Sequence, residues 1–255
     1  MNFDDMARAQ FRLDTNCSPE CEYKYRIMIN EAEIHEGARL FDGMSKDFRA
    51  IIYKGDAYIM ASKELLPWVR EKYMTFKCEW FCKFENLRTL DKKLEEYGLC
   101  IHDTHIYFLP DYNWEDIELE CPYETRWFDV DNLGELSASG KFPHAFPGAK
   151  LQPDVIGIAA YDNGIPIAAA GASADGKYMW QIGIDVDRDY EHHGLALYLV
   201  TALKEKIIEK GFLPYYGTSE SHSISQDVAI VSGFMPAWAE IFVKKIEKTV
   251  DKEES

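Results

Sequence analysis

Two short stretches carry residue types able to do chemistry. In Gly217-Thr218-Ser219-Glu220-Ser221-His222-Ser223 a carboxylate and an imidazole stand close together, where an apolar run gives way to a short helical one. Glu220 can take up a proton or hold an ammonium group, and His222 can relay a proton. Capping of the following helix by Ser221 or Ser223, with Glu220 in its first turn, accounts for the same residues equally well. A serine-hydrolase elbow fits poorly, because its second glycine is missing and a sequence-adjacent histidine does not reach back to Ser219. The second stretch, Glu191-His192-His193-Gly194-Leu195-Ala196, opens a helix on small residues. First-turn amides of a helix lack intrahelical partners and carry about half a positive charge, so they hold phosphate oxygens without basic side chains. An ordinary strand-to-helix turn containing a glycine has the same appearance. Asp185-x-Asp187-x-Asp189 does not make a calcium loop: Tyr190 stands where glycine is required and Ala196 where a bidentate glutamate is.

These stretches need a scaffold, and the carboxy-terminal half supplies one. Apolar runs at 155–161 and 165–170 flank Asp162-Asn163-Gly164, a strong hairpin signal, and a third run covers 178–186. A helix follows with Leu195, Leu199, Leu203 and Ile207 at i+4 steps, stopping at Lys210-Gly211. A strand at 213–218, a short helix at 222–231 with Ile224, Val228 and Val231 on one face, a stop at Gly233 and a strand at 237–243 complete the half. The order β-β-β-α-β-α-β implies a mixed, mainly antiparallel sheet flanked by helices. Alternation sends Gln181 and Asp185 to one face of the third strand, as lesser site candidates, while Trp180, Tyr215 and Tyr216 read as core or pocket wall.

The amino-terminal half reads as a further α/β unit: a hairpin of 48–53 and 57–61 around Lys54-Gly55-Asp56, a helix over 86–97 ending at Gly98, and a strand over 99–109. The acidic, turn-rich 110–120 places a boundary there, giving domains 1–120 and 121–249 and an acidic tail at 250–255. The loop Phe142-Pro143-His144-Ala145-Phe146-Pro147-Gly148 either lines a pocket or packs against the other domain.

A chain of 255 residues, 47% of them hydrophobic, can bury one large core or two smaller ones. The net charge of -16 argues against nucleic acid or an anionic membrane as partner and favours cationic small molecules. No window approaches the ~20 apolar residues of a membrane helix, and the amino terminus lacks a secretion signal, so a cytoplasmic protein is expected. The six cysteines read as reduced thiols. Cys17/Cys21 and Cys78/Cys82 lack zinc-knuckle spacing, although Cys100, His102 and His105 are ligand types, and no metal is expected.

The strand order and two motifs resemble the Gcn5-related N-acetyltransferases. Glu191-His192-His193-Gly194-Leu195-Ala196 is similar to that family's Arg/Gln-x-x-Gly-x-Gly/Ala, and the block from Ser225 through Ala229 to Gly233-Phe234 to its Ser-x-x-Val-Ala-x-x-x-Gly-Phe. The resemblance implies an acyl-CoA N-acyltransferase fold over the carboxy-terminal half. It implies acetyl-CoA as cosubstrate, its pyrophosphate on the amides of His192, His193, Gly194, Leu195 and Ala196, its arm along Ile184 and Val186, and Glu191 and Ser225 nearby. A primary amine of a small molecule or metabolite would then attack directly in a ternary complex, with Glu220 as base and His222 as relay. Two departures matter: Glu191 replaces the usual Arg or Gln, and Ala229 stands where a tyrosine often serves as acid. They leave open a non-catalytic acyl-CoA sensor. The acceptor is unread, and a homodimer is one open assembly.

Overall fold

In this computed structural model, which describes residues 2–24, 26–111, 113 and 119–247, apolar runs become strands and i+4 runs become helices. Along the chain these are α1 (Phe3–Asp14), α2 (Pro19–Lys24), β1 (Ile27–Glu31), β2 (Phe48–Tyr53), β3 (Asp56–Ala61), α3 (Leu66–Tyr73), α4 (Phe84–Glu95), β4 (Leu99–Pro110), β5 (Glu124–Asp129), α5 (Gly134–Ala138), β6 (Asp154–Asp162), β7 (Ile165–Ala174), β8 (Met179–Val186), α6 (Leu195–Glu209), β9 (Leu213–Thr218), α7 (Ser223–Val231) and β10 (Phe234–Lys245). The acidic tail at 250–255, and residues 112 and 114–118 of the expected boundary, lie outside the described residues.

Neither of the two compact units is one stretch of chain. The first comprises Met1–Asp14, Ile34–Asp42 and His105–Trp238, and the second Thr15–Glu33, Gly43–Thr104 and Ala239–Ser255. In the second, β1 runs parallel to β3, β3 antiparallel to β2, and β10 is the next neighbour of β2. Its core gathers Ile59, Leu65, Val69, Tyr73, Leu90 and Leu94, with Ile241 and Val243 from β10.

In the first unit β5, β6, β7 and β8 form an antiparallel series, β8 runs parallel to β9, and β9 is antiparallel to β4. The mixed sheet with flanking helices is thus the one expected. Asn163 and Gly164, at φ 48° and 80°, turn β6 into β7, a left-handed pair that Asn-Gly adopts at low cost. Leu195, Leu199, Val200, Leu203 and Ile207 of α6 are buried against Ile156, Ile158, Ala170 and Ile182. Each large side chain so covered stabilises the fold by roughly 1.5–3 kcal/mol. Gly211, at φ 85°, ends the helix. The short helix α7 keeps only part of the expected apolar face: Val228 packs on the core beside buried Ala229, while Ile224 and Val231 are exposed. The amine of buried Lys204 in α6 donates to the Ser232 carbonyl at 2.8 Å, satisfying an orphan acceptor where α7 ends.

The other face of this sheet is nearly bare of side chains at one row. Gly157 of β6, Gly171 of β7 and Gly183 of β8 are direct cross-strand neighbours. Residues 142–148 lie on that row: a Cβ at Gly171 would collide with the Ala145 carbonyl, one at Gly183 with the His144 carbonyl, and one at Gly157 with the Phe146 ring. The loop therefore packs on its own sheet, with Phe142 and Phe146 buried against Ala159 and Ala169. Substituting Gly171→Ala is expected to cost on the order of 2–4 kcal/mol in urea unfolding, because backbone rather than a flexible side chain must yield. A loss below half a kcal/mol would show the loop free to lift.

Candidate functional site

Strands β8 and β9 begin together and then part. Their parallel register runs from Met179↔Leu213 to Ile182↔Tyr216 and no further, while β8 stays paired to β7 as far as Val186. Past Ile182 one edge of β8 therefore has no strand partner among the described residues, and alternate N–H and C=O groups between Gly183 and Val186 face the gap. Beyond β8 a single 3-10 turn, Arg188–Tyr190, leads through His192 at φ 63° to Gly194 at φ 77°, the N-cap of α6. Chain neighbours aside, nothing among the described residues lies within 4 Å of where a Gly194 Cβ would stand, and Glu191, His192, His193 and Gly194 are all exposed. The first-turn amides of α6 are thus accessible, with the positive end of the helix dipole behind them. Among the described residues no ion pair joins Glu191 to Arg188, so the acidic residue at this helix start is not neutralised there.

The face of β8 opposite α6 carries polar groups. Both Asp185 oxygens are engaged by the 142–148 loop: Oδ2 accepts the backbone N–H of His144 at 2.7 Å and of Ala145 at 2.8 Å, and Oδ1 lies 2.6 Å from His144 Nδ1. Asp185 is mostly covered whereas the His144 side chain is 81% exposed, which leaves Nε2 open to solvent. A carboxylate on Nδ1 fixes the tautomer with the lone pair on Nε2, the arrangement a general base needs.

Deeper on this face lies a buried polar network. Asp14, the last residue of α1, binds Arg39 twice, through the Arg39 backbone N–H and through Nε, both at 2.7 Å. The Arg39 guanidinium sits over the rings of Phe11, Tyr215 and Trp238 at about 5.5 Å. Asp175 accepts from Ser173 Oγ at 2.6 Å and from the Tyr215 hydroxyl, which also lies 3.1 Å from the Gln181 side-chain oxygen. Burial lifts the Asp175 carboxyl to about 6, against the lowering pull of Ser173, Tyr215 and Arg39. Burial and the Asp175 charge push the Tyr215 phenol well above its ordinary value, so it stays a donor. Asp175, Ser173, Gln181, His144, Gln152 and Phe41 line a cavity of about 170 Å³.

A larger hollow of about 510 Å³ in the second unit is lined by residues 74–79 with Arg26, Ile27 and Gly55. Burial pushes the thiol of Cys78 in its lining up, away from the reactive thiolate. Among the described residues no group of three or more His, Cys, Asp or Glu is placed to hold a metal ion.

The residues expected from sequence fall into three places. Glu191, His192, His193, Gly194, Leu195 and Ala196 form the α6 start, with Leu195 buried as an anchor. Ile184 and Val186 turn their side chains to the α6 core and leave only backbone for the gap. Glu220 and His222 are exposed on the turn after β9, where His222 is the α7 N-cap without a side-chain capping bond. Ser225 Oγ lies 3.0 Å from the Tyr216 hydroxyl. Sequence reasoning missed His144, Asp175, Arg39, Asp14 and Gln152. Of these only His144 had a signal, as the one ionisable side chain in an otherwise apolar proline loop.

The Asp175 carboxyl gives a pH signature. Its folded value exceeds the unfolded ~3.9, so the fold binds the proton more tightly and stability falls as pH rises from about 4 to about 6. The total loss is on the order of 3 kcal/mol, flat thereafter. Asp175→Asn, measured by urea unfolding across pH 4–8, is expected to lack this decline and to exceed the wild type at pH 7. A parallel decline in both proteins would refute the assignment.

Comparison with solved structures finds likenesses at low identity. A GNAT-family acetyltransferase of Colwellia psychrerythraea is 15% identical over 58% of this chain, with a TM-score of 0.41, the match spanning 57% of its own length. A GCN5-related N-acetyltransferase of Kribbella flavida is 14% identical over 63% of this chain and 65% of its own, at TM-score 0.45. A GCN5-related N-acetyltransferase-like protein of Streptococcus suis is 14% identical over 96% of this chain and 100% of its own, at TM-score 0.49. No curated protein matches the chain. The model of the acetyltransferase (GNAT) family matches residues 102–234, more than half of the sequence, and the chain belongs to that family.

Proposed function

We propose that the protein transfers an acetyl group from acetyl-CoA to a primary amine of a small molecule, and that it does so in the cytoplasm. The observation that carries this reading is the parting of β8 from β9 beside the exposed start of α6. Free edge groups from Gly183 to Val186 suit the amides of a pantetheine arm, as in strand addition, and the α6 amides suit a diphosphate. The space at Gly194 leaves room for phosphate, while Glu191 opposes it in part.

In the reaction a C–N bond forms and the thioester C–S bond breaks. The amine enters as ammonium and sheds two protons, one ending on sulfur and one in solvent. His144, held by Asp185, is the group this chain offers for the first proton, with a backbone N–H of β8 for the developing oxyanion. Glu220 and His222, beyond the end of β9, are the second pair offered, to hold the ammonium or relay its proton. Ala229 is fully buried, so it leaves the thiolate to solvent or another donor. That observation also favours a second reading, a sensor that binds acyl-CoA without turnover.

Thiol release from acetyl-CoA across an amine library separates the two, turnover excluding the sensor. His144→Gln is expected to lower kcat by about 10²-fold or more. Glu220→Gln doing so instead would move the base to the β9–α7 turn. Gly194→Glu is expected to abolish acetyl-CoA binding in calorimetry, and Gly194→Ala, equally strained at this φ but uncharged, to retain most of it. Equal loss in both variants would refute an electrostatic cradle.

A further inference from the structure

The cavity over β7 and β8 contains a buried carboxylate that shares its one nearby cation with another carboxylate, and a donor without an acceptor. In the network behind it Asp14 and Asp175 face one guanidinium, Arg39, which Asp14 already binds twice. Among the described residues no lysine or arginine lines the cavity, so Asp175, 4% exposed, presents the one excess negative charge to it. Gln152, which also lines it and is 6% exposed, has its amide nitrogen buried without a hydrogen-bond partner among the described residues. Buried polar groups are paired in native proteins, so an unpartnered amide is costly to keep, as is a buried carboxylate whose hydrogen bonds come from neutral hydroxyls and whose nearby cation is already bound to Asp14. One occupant accounts for both.

We infer that this cavity is the acceptor subsite and that it takes a small, singly charged primary amine bearing a hydroxyl or amide oxygen, the ammonium against Asp175 and the oxygen accepting from Gln152 Nε2. The inference rests on the acetyl-transfer reading above and names its substrate class. Position supports it: Gly183 lines the cavity and is the first residue of β8 beyond the last pair with β9, so an amine held there adjoins the free edge. Size suits it too, since about 170 Å³ holds about six water-sized groups. An α-amino acid would bring its carboxylate beside Asp175 with no cation to receive it. Phe41 adds an aromatic wall of the kind ammonium groups favour.

Glycinamide and ethanolamine are the probes, with glycine, propylamine and ethylene glycol as controls. Each is titrated calorimetrically against the protein alone to about 10 mM, and tested as acceptor in thiol release from acetyl-CoA. Glycinamide and ethanolamine are expected to bind, and glycine and ethylene glycol to bind at least tenfold more weakly. Asp175→Asn should raise KM for glycinamide tenfold or more with acetyl-CoA affinity unchanged. Gln152→Leu should raise it several-fold for glycinamide and leave propylamine unaffected. A wild-type KM in an Asp175→Asn variant that binds acetyl-CoA would overturn the subsite, as would no binding of either probe or equal binding of glycine. Probe binding that Asp175→Asn removes, without thiol release from any amine, would uphold the subsite and defeat the transfer reading.

Discussion

Three glycines side by side on β6, β7 and β8 are the constraint on which the polar face depends. A sheet normally holds a covering segment one side-chain layer away, about 10 Å for a packed sheet, because Cβ atoms stand between the backbones. Removing them at Gly157, Gly171 and Gly183 lets the backbone of residues 142–148 rest on the sheet itself. Only at that range can the His144 and Ala145 amides reach the Asp185 carboxylate while its second oxygen meets the imidazole. The same descent makes Ala145 and Pro147 walls of the cavity. Geometry that resembles catalytic tuning thus begins as an absence of side chains.

The two faces of β8 use opposite physics. Toward α6, Ile182 and its neighbours join a core whose stability comes from area removed from water and tolerates modest shape changes. Away from α6, Asp14, Arg39, Asp175 and Tyr215 are charged or polar and almost wholly buried, so each depends on a specific partner. Desolvation outweighs Coulomb attraction for Asp175, since the nearby guanidinium is already committed, and its carboxyl titrates upward. A fold that carries such a group is less stable than one with a neutral isostere, which is the usual sign that the position serves something besides folding.

Much of the scaffold was legible because it follows local rules. The i+4 leucines of α6, the Asn163-Gly164 turn and the stop at Gly211 act within a few residues, and the strand order then followed. Strand β5 was not legible: Glu124–Asp129 is largely exposed and carries little apolar alternation. Helix α1 escaped because its buried face includes Gln10 and Asp14, polar residues whose burial only tertiary partners justify. The α6 start was readable as a site since its amides work without side chains. The cavity was not, since α1, the 34–42 segment, β7, β8 and β9 each give one or two residues to its network, and no spacing along the chain announces that meeting. Ile224 and Val231 misled for the opposite reason, being apolar residues that no partner covers.

Strand β10 is shared property. Phe234 and Trp238 serve the core of one unit, Ile241 and Val243 that of the other, and all four come after every other described helix and strand. During synthesis, therefore, neither unit can close its core as soon as its first elements leave the ribosome. The nascent chain must carry unfinished apolar surface from both units until β10 emerges, a longer exposure to aggregation and chaperone capture than two domains in tandem would face.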